Sequence, residues 1–324
     1  MEKTGVILLN LGGPDNPGAV RPFLYNLFSD RDIIPFGPAF MQKPLAWLIS
    51  GLRAKRTKEA YAQIGGASPI LRITGQQADA LREALMDEGD FSVYVGMRYW
   101  HPFIEESVKQ ACRNGIRRLI GLSLYPHYSR ATTGSTREKF DRAAGEFGLA
   151  SAFISSWYDH PLYIDALVET IKERLKGYET DGVHLLFSAH SLPVSFIEEG
   201  DPYVDEIKGT VEAIIRRLRT EMPVVPPYHI SYQSRSGPVK WLGPSTDEVI
   251  IELSGKGVRR IVVVPVSFVS DHIETLYEID ILYRGLAEKN GTELRRVESL
   301  NTRPLFISAL KDLVLRATEV FNET

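Results

Sequence analysis

Short runs of apolar, largely β-branched residues alternate along the chain with longer segments that carry apolar residues at helical spacing. The runs cover residues 5–11, 92–96, 119–124, 183–188, 229–232 and 261–266. A strand that is apolar on both faces is buried on both faces, as in a parallel sheet covered by helices. The intervening segments, among them 75–86, 105–113, 162–175 and 204–218, are predicted as crossover helices. The pattern therefore predicts an α/β fold.

The apolar runs fall into two sets, one before about residue 150 and one after it. A chain of 324 residues is long enough for two domains of roughly 150 residues each. We predict two similar Rossmann-like domains, 1–152 and 153–303, each a parallel sheet flanked by helices. Residues 304–324 are predicted as a last helix that packs back on the first domain.

Charge and motif content exclude several classes of protein. The formal charge of −3 gives no overall attraction to nucleic acid. Neither a P-loop nor a G-x-G-x-x-G motif occurs, so ATP and NAD are not predicted ligands. The single cysteine, Cys112, cannot form a disulfide within the chain and is typical of a reducing compartment. No signal peptide or spanning segment is found in the sequence, so we expect a cytoplasmic protein.

The stretch 33–67 combines several prolines and large apolar residues with the basic residues Arg53, Lys55, Arg56 and Lys58. It is predicted as a loop followed by an amphipathic helix. Such a segment suits the rim of a large apolar ligand site or a peripheral contact with a membrane surface. The alternative is a helix packed on its own core with a solvated charged face.

His190 is the first candidate catalytic residue. It follows the apolar run 183–188 and is flanked by Ser188 and Ser191. Ligands of parallel α/β sheets bind beyond the carboxyl ends of the strands, which is where this histidine is expected. A neutral histidine there can accept a proton near neutral pH. The alternative is a structural, hydrogen-bonded histidine.

Three carboxylates follow the last apolar run at helical spacing. Asp271, Glu274 and Glu278 are three and four residues apart, so a helix beginning near Asp271 places them on one face, next to His272. This row suits the transfer of protons or of a divalent cation. As an alternative, Asp271 and Glu274 form a capping box, but capping explains neither His272 nor Glu278.

Two further loops follow strands of the first half. Arg98 and Tyr99 begin a cationic and aromatic cluster that suits a flat, anionic, aromatic ligand. The stretch 125–135 is rich in hydroxyl groups. Ordinary loop packing explains both equally well.

Several motifs together resemble one enzyme family, the ferrochelatases. They are LNLGGP at 9–14, IGGASPI at 64–70, GMRYWHP at 96–102, SAHSLP at 188–193, YQS at 232–234, GP at 237–238, WLGP at 241–244 and SDHIETL at 270–276. The motifs run in order through most of the chain. The histidine loop and SDHIETL together are highly specific for this family.

The resemblance implies insertion of Fe(II) into protoporphyrin IX, held in a cleft between two chelatase domains. It assigns the catalytic and metal-binding roles to His190 and Glu274, with Asp271, His272 and Glu278 as a proton or metal relay. Residues 33–52 resemble the lip over the cleft. The expected porphyrin contacts are Leu11, Arg53, Tyr61, Ser68, Arg98, Tyr99 and Trp241. Animal members carry a cysteine-ligated [2Fe–2S] cluster, which we do not expect with Cys112 alone.

Three alternatives to this function stay open from the sequence. Some bacterial members act on coproporphyrin III, although the intact segment 233–244 and the long apolar lip look more like the protoporphyrin type. A non-catalytic porphyrin or haem carrier would also have two α/β lobes, but it would not need the carboxylate row. A related chelatase would insert cobalt or nickel, since N and O ligands alone do not select Fe(II).

Overall fold

The computed structural model describes residues 3–31, 33, 37–178, 182–237 and 239–321, and these include two four-stranded parallel sheets. The first sheet has the order β2-β1-β3-β4 and the second has the order β6-β5-β7-β8. The strands are β1 (Thr4–Asn10), β2 (Phe91–Met97), β3 (Arg118–Ser123), β4 (Ala150–Ile154), β5 (Val183–His190), β6 (Tyr228–Gln233), β7 (Arg260–Pro265) and β8 (Glu293–Arg296). The predicted α/β fold is confirmed.

Helices connect the strands of both sheets. They are α1 (Val20–Ser29), α2 (Gln42–Ala62), α3 (Ile70–Ala84), α4 (Ile104–Arg113), α5 (Ser135–Glu146), α6 (Pro161–Leu175), α7 (Val194–Glu198), α8 (Tyr203–Glu221), α9 (Thr246–Gly255), α10 (Arg284–Lys289) and α11 (Pro304–Glu319). A short 3₁₀ turn, Ala39–Met41, precedes α2. Two segments are π-helical: Arg130–Gly134 leads into α5, and Glu274–Tyr283 leads into α10.

The described residues group into two compact units. The first contains the residues up to Trp157 together with those from Ile307 onward, and the second is Tyr158–Phe306. Ala152, where the sequence suggested the boundary, lies inside β4 and opposite Ile120 of β3. The change from one unit to the other follows this strand, because a boundary at Ala152 would divide a hydrogen-bonded ladder.

Each sheet is buried against its helices. In the first unit, Ile7 and Leu9 of β1 pack with Ile104 and Val108 of α4 and with Phe140 of α5. In the second unit, helix α9, strand β7 and helix α10 meet in a cluster whose members include Ile250, Val263 and Ala287. Because both faces of the central strands are covered, their residues are apolar without alternation.

The segment predicted as an apolar lip forms the 3₁₀ turn and the first half of α2. Residues 34–36 of that segment lie outside the described part of the chain. Phe40, Trp47 and Leu52 have 76%, 60% and 75% of their surface exposed. Among the described residues, no helix is both long and apolar enough to cross a membrane.

Candidate active site

The carboxyl edge of the second sheet brings together residues from β5, β6 and β7. His190 is the last residue of β5 and lies opposite Gln233, the last residue of β6. Ser267 follows the end of β7 by two residues. The three adjacent strands β6, β5 and β7 therefore present polar groups at the carboxyl edge of the sheet, where α/β folds bind ligands.

The backbone of His190 is fixed on both sides. Its N–H donates to Ser267 Oγ at 2.9 Å, and its carbonyl oxygen accepts from the Tyr203 hydroxyl at 3.0 Å. Tyr203 is buried, which raises the pKa of its hydroxyl, so this group stays a donor near neutral pH. The imidazole ring accordingly projects from an anchored strand end, which limits its movement.

The imidazole of His190 contacts Glu274, the first residue of the π-helical segment. His190 Nδ1 lies 2.8 Å from Glu274 Oε2, and the two side chains are 34% and 19% exposed. Burial lowers the pKa of His190, but the Glu274 carboxylate more than offsets this, and the pKa is raised above its usual 6.5. Burial raises the pKa of Glu274, but His190 outweighs it and brings the pKa down to about 2.

This pairing decides which ring nitrogen of His190 is free. An ionised carboxylate only accepts hydrogen bonds, so we assign the proton of the neutral ring to Nδ1, where it is donated to Glu274. The lone pair of the neutral ring is then on Nε2. The arrangement can take up one proton at Nε2, and the Glu274 carboxylate stabilises the imidazolium that results.

Ser234 joins Glu274 to a second carboxylate. Its hydroxyl lies 2.7 Å from Glu274 Oε2 and also contacts Glu278 Oε2. A hydroxyl has only one proton, so one of these two contacts needs a proton from the carboxyl group. Burial and the charge of Glu274 raise the pKa of Glu278, which makes Glu278 the protonated partner.

Glu278 has further donors around it. Gln233 Nε2 lies 3.3 Å from Glu278 Oε2, and the Ser234 N–H and the Tyr283 hydroxyl lie 3.1 Å and 3.0 Å from Oε1. Ser234 adopts a left-handed backbone with φ of 67°, and this geometry directs both its N–H and its hydroxyl at Glu278. A continuous path of hydrogen bonds thus leads from His190 through Glu274 and Ser234 to Glu278 and Tyr283.

The structure separates Asp271 from this path. Its carboxylate accepts from Ser299 Oγ at 2.8 Å and Asn301 Nδ2 at 2.9 Å, and it pairs with Arg296 at 3.0 Å. Its backbone N–H donates to Asn301 Oδ1 at 3.0 Å, so it is not available to Glu274 as a capping box requires. The capping alternative for Asp271 and Glu274 is wrong, and we keep Asp271 out of the proposed relay.

His272, the other predicted relay residue, is buried. Its Nδ1 lies 3.1 Å from the Ser270 carbonyl oxygen, and its Nε2 lies 4.0 Å from Glu274 Oε1, beyond hydrogen-bond distance. Burial lowers the pKa of His272 more than Glu274 raises it. The ring therefore stays neutral near pH 7 and lines the site beside Phe268, whose ring centroid is 4.3 Å away.

In the first unit, the predicted ligands Arg98 and Tyr99 share a buried partner. Asp30 Oδ2 accepts from Arg98 Nη2 at 2.5 Å, from the Tyr99 hydroxyl at 2.6 Å and from Ser135 Oγ at 3.0 Å. Tyr99 is 2% exposed, and burial raises the pKa of its hydroxyl. Arg98, at 12% side-chain exposure, is the more accessible of the two. Their contact with porphyrin stays a prediction.

The remaining predicted porphyrin contacts lie at several places. In the first unit, Leu11 directly follows β1. Arg53 is exposed on α2, and its guanidinium lies 5.4 Å from the centroid of the Phe28 ring. Tyr61 is buried near the end of α2. Ser68 donates its backbone N–H to the Pro14 carbonyl oxygen at 2.8 Å. In the second unit, Trp241 pairs with Pro193, three residues after His190. Porphyrin binding by these residues also stays a prediction.

Sequence reasoning missed several residues of the site. Gln233 and Ser234 lie in the YQS motif, which contributed to the family resemblance. The sequence alone assigned these two residues no role in the site. Tyr203 is thirteen positions from His190 and has no local pattern that connects the two. Within the described part of the chain, no three or more His, Cys, Asp or Glu side chains are grouped so that they could hold a metal ion.

Comparison of the sequence with known proteins points to one family. The sequence model of the ferrochelatase family matches residues 3–318. The chain is 49% identical over 317 residues to a ferrochelatase of Desulfotalea psychrophila, with 97% of both chains covered. It is 52% identical over 317 residues to a ferrochelatase of Geotalea uraniireducens, again with 97% of both chains covered.

Two solved chelatase structures have a similar fold. The sirohydrochlorin chelatase SirB from Bacillus subtilis subspecies spizizenii, in complex with cobalt, superimposes with a TM-score of 0.56 at 14% identity, covering 98% of this chain and 96% of that one. CbiX, described as the terminal enzyme of sirohaem biosynthesis in denitrifying bacteria, gives a TM-score of 0.51 at 12% identity, with 97% and 99% covered. At these identities the likeness shows the fold alone.

Proposed function

The chain belongs to the ferrochelatase family, and from that premise we propose that it inserts Fe(II) into protoporphyrin IX, with His190 as the base that removes pyrrole protons. The family makes the chain a lyase of haem biosynthesis that joins a metal to a porphyrin. The observation that carries the proposed role of His190 is its 2.8 Å contact with Glu274 through Nδ1, which leaves Nε2 as the proton acceptor.

Metal insertion releases two protons from the pyrrole nitrogens of the macrocycle. The neutral His190 accepts one of them at Nε2, and the new positive charge lies next to the ionised Glu274. Because the carboxylate is already in place, little reorganisation is needed when the charge appears. Release of the Nδ1 proton towards Glu274 then leaves His190 neutral with its proton on Nε2, so exchange with solvent has to restore the Nδ1–H tautomer before Nε2 accepts the second pyrrole proton.

Glu274, Ser234 and Glu278 provide the exit for that proton. Glu278 first releases its own proton, and its carboxylate then takes the hydroxyl proton of Ser234. Ser234 in turn takes a proton from Glu274, so the charge on each group is restored after two transfers. The raised pKa of Glu278 and the lowered pKa of Glu274 support this direction.

The same two residues are proposed to contact the metal substrate. An imidazole nitrogen and a carboxylate oxygen are ligands that first-row divalent metals accept. His190 and Glu274 supply two such atoms, and the pyrrole nitrogens of the porphyrin supply the others. A two-ligand protein contact suits a metal that is passed on and not retained.

The porphyrin preference is tested by comparing protoporphyrin IX with coproporphyrin III. The exposed apolar residues before and within α2 support protoporphyrin, because its vinyl groups are apolar where coproporphyrin carries two more propionates. We expect kcat/KM for Fe(II) insertion under anaerobic conditions to be at least ~10-fold higher with protoporphyrin. A preference for coproporphyrin would establish the alternative substrate. Binding of either porphyrin without insertion would indicate a carrier.

We also propose that the exposed face of α2 contacts an anionic membrane surface. Leu48 and Leu52 are one turn apart, and the exposed Lys55 and Arg56 continue the same side of the helix. Exposed apolar groups next to cations are typical of helices that lie in the lipid interface. The face is therefore suited to anionic phospholipid headgroups.

Vesicle binding tests this contact. We expect the protein to sediment with vesicles that contain anionic phospholipid, and the Leu48→Gln, Leu52→Gln double variant to bind at least ~10-fold more weakly, because each side chain loses part of about 1.5–3 kcal/mol of burial. Val224→Gln is the control, since Val224 is 57% exposed on the second unit. Equal binding of the double variant and the wild type would contradict the proposed contact.

A further inference from the structure

The buried arginine at the end of β8 holds the π-helical segment that carries Glu274 and Glu278. The side chain of Arg296 is 9% exposed. Its Nη2 donates to Asp280 Oδ2 at 2.8 Å, and its Nε lies 3.2 Å from both carboxylate oxygens. Asp280 is two residues after Glu278, inside the segment Glu274–Tyr283. The guanidinium thus fixes the segment from its carboxyl-terminal side.

The same guanidinium also holds the chain on the other side of Glu274. Arg296 Nη1 lies 3.0 Å from Asp271 Oδ1, three residues before Glu274, and 3.2 Å from Ser299 Oγ. Ser299 and Asn301 donate to the same Asp271 carboxylate. One planar group therefore joins two carboxylates that flank Glu274 and Glu278 in sequence.

This connection matters because the segment has a rare backbone conformation. Runs of π-helix are uncommon and need support from their surroundings. We propose that Arg296 is a positioning residue for metal insertion: by binding Asp271 and Asp280 together, it holds Glu274 and Glu278 in register with His190 and Ser234. The proposal rests on the proposed function of that path. Arg296 itself touches none of the groups that move protons.

Loss of the guanidinium would leave Asp271 without an ionic partner among the described residues and Asp280 with only Arg284 at 3.5 Å, although both side chains are no more than 21% exposed. The segment would then shift to bring Asp271 or Asp280 closer to solvent, and Glu274 and Glu278 would move with it. Displacement of a catalytic group by about 1 Å costs on the order of 100-fold in rate. We therefore expect substitution of Arg296 to lower kcat and to leave the affinity for porphyrin unchanged.

The test compares Arg296→Gln and Arg296→Lys with the matched control Arg303→Gln. Arg303 is a second arginine of the same unit that pairs with carboxylates, Glu173 at 2.7 Å, Glu298 at 3.0 Å and Glu169 at 3.9 Å, and all three lie outside the π-helical segment. Anaerobic kcat, KM for Fe(II) and porphyrin Kd by fluorescence are measured below the lowest melting temperature of the set. We expect kcat to fall about 10- to 100-fold in Arg296→Gln and less in Arg296→Lys. The porphyrin Kd of both, and the kcat of Arg303→Gln, should stay within about 2-fold of wild type.

If Arg296→Gln does not fold, Asp280→Asn is tested in its place. This variant leaves Arg296 paired with Asp271 and removes only the charge of Asp280. A reduced kcat with unchanged Kd in this variant supports the positioning role. Normal kcat in folded Arg296→Gln or Asp280→Asn, alongside an inactive Glu274→Gln, would overturn the positioning role and leave the proposed base intact. Normal kcat in Glu274→Gln as well would overturn both.

Discussion

Replacing His190 by alanine is expected to lower kcat for Fe(II) insertion by at least ~100-fold, the usual contribution of a general base. The side chain is 34% exposed and ends a strand, so the fold should be kept. Without the imidazole, the neighbouring His272 is a poor substitute as the base at neutral pH, since burial lowers its pKa.

The matched control for this variant is His184→Ala. His184 lies in the same strand, and its Nδ1 is 2.9 Å from His229 Nε2, so it too loses one imidazole hydrogen bond. We expect normal anaerobic turnover from His184→Ala and a melting temperature close to that of His190→Ala. Turnover within a few-fold of wild type in His190→Ala would refute its role as the base.

The second large effect is expected from Glu274→Gln. Glutamine keeps the shape of the side chain and a hydrogen-bonding oxygen, but it removes the negative charge that stabilises the imidazolium and the acceptor for the Nδ1 proton. Activity should collapse, again by at least ~100-fold, while the free energy of unfolding changes by no more than about 1 kcal/mol. Glu278→Gln should slow turnover less, because it lies one step further along the path.

Melting temperature and anaerobic insertion rate are measured on both glutamine variants. A loss of stability with normal specific activity in Glu274→Gln would mean that the carboxylate has only a structural role. Equal losses in Glu274→Gln and Glu278→Gln would mean that the two carboxylates act as one unit and not in sequence. Either result would contradict the proposed order of proton transfer.

The apolar runs of the sequence predicted β1, β2, β3, β5, β6 and β7, and the signal is clearest for the central strands because burial on both faces leaves a continuous apolar run. Strands β4 and β8 were not predicted from the sequence. The residues of β4 are exposed or half-buried, and β8 has only four residues, two of which are arginines. Both are edge strands of their sheets, so one side of each lacks the neighbouring strand that makes a central strand apolar.

The candidate site was predictable where function follows from local sequence. His190 at a strand end and Glu274 in SDHIETL were both identified, and the structure brings them to 2.8 Å. Helical spacing alone placed Asp271 in the same row. Its actual partners, Arg296 and Asn301, follow 25 and 30 positions later, and no periodicity in the sequence connects residues so far apart.

In the proposed mechanism Glu274 sets the protonation of His190, and the pH dependence of kcat/KM tests this role most directly. The base must be neutral to accept a proton, so activity falls as pH drops through the pKa of His190. Since Glu274 raises that pKa, the acid limb of the wild type should have its midpoint above pH 6.5. In Glu274→Gln only the smaller effect of Glu278 opposes the lowering of the His190 pKa by burial, so the limb of the residual activity should move to lower pH. An acid limb at the same pH in both proteins would contradict the account.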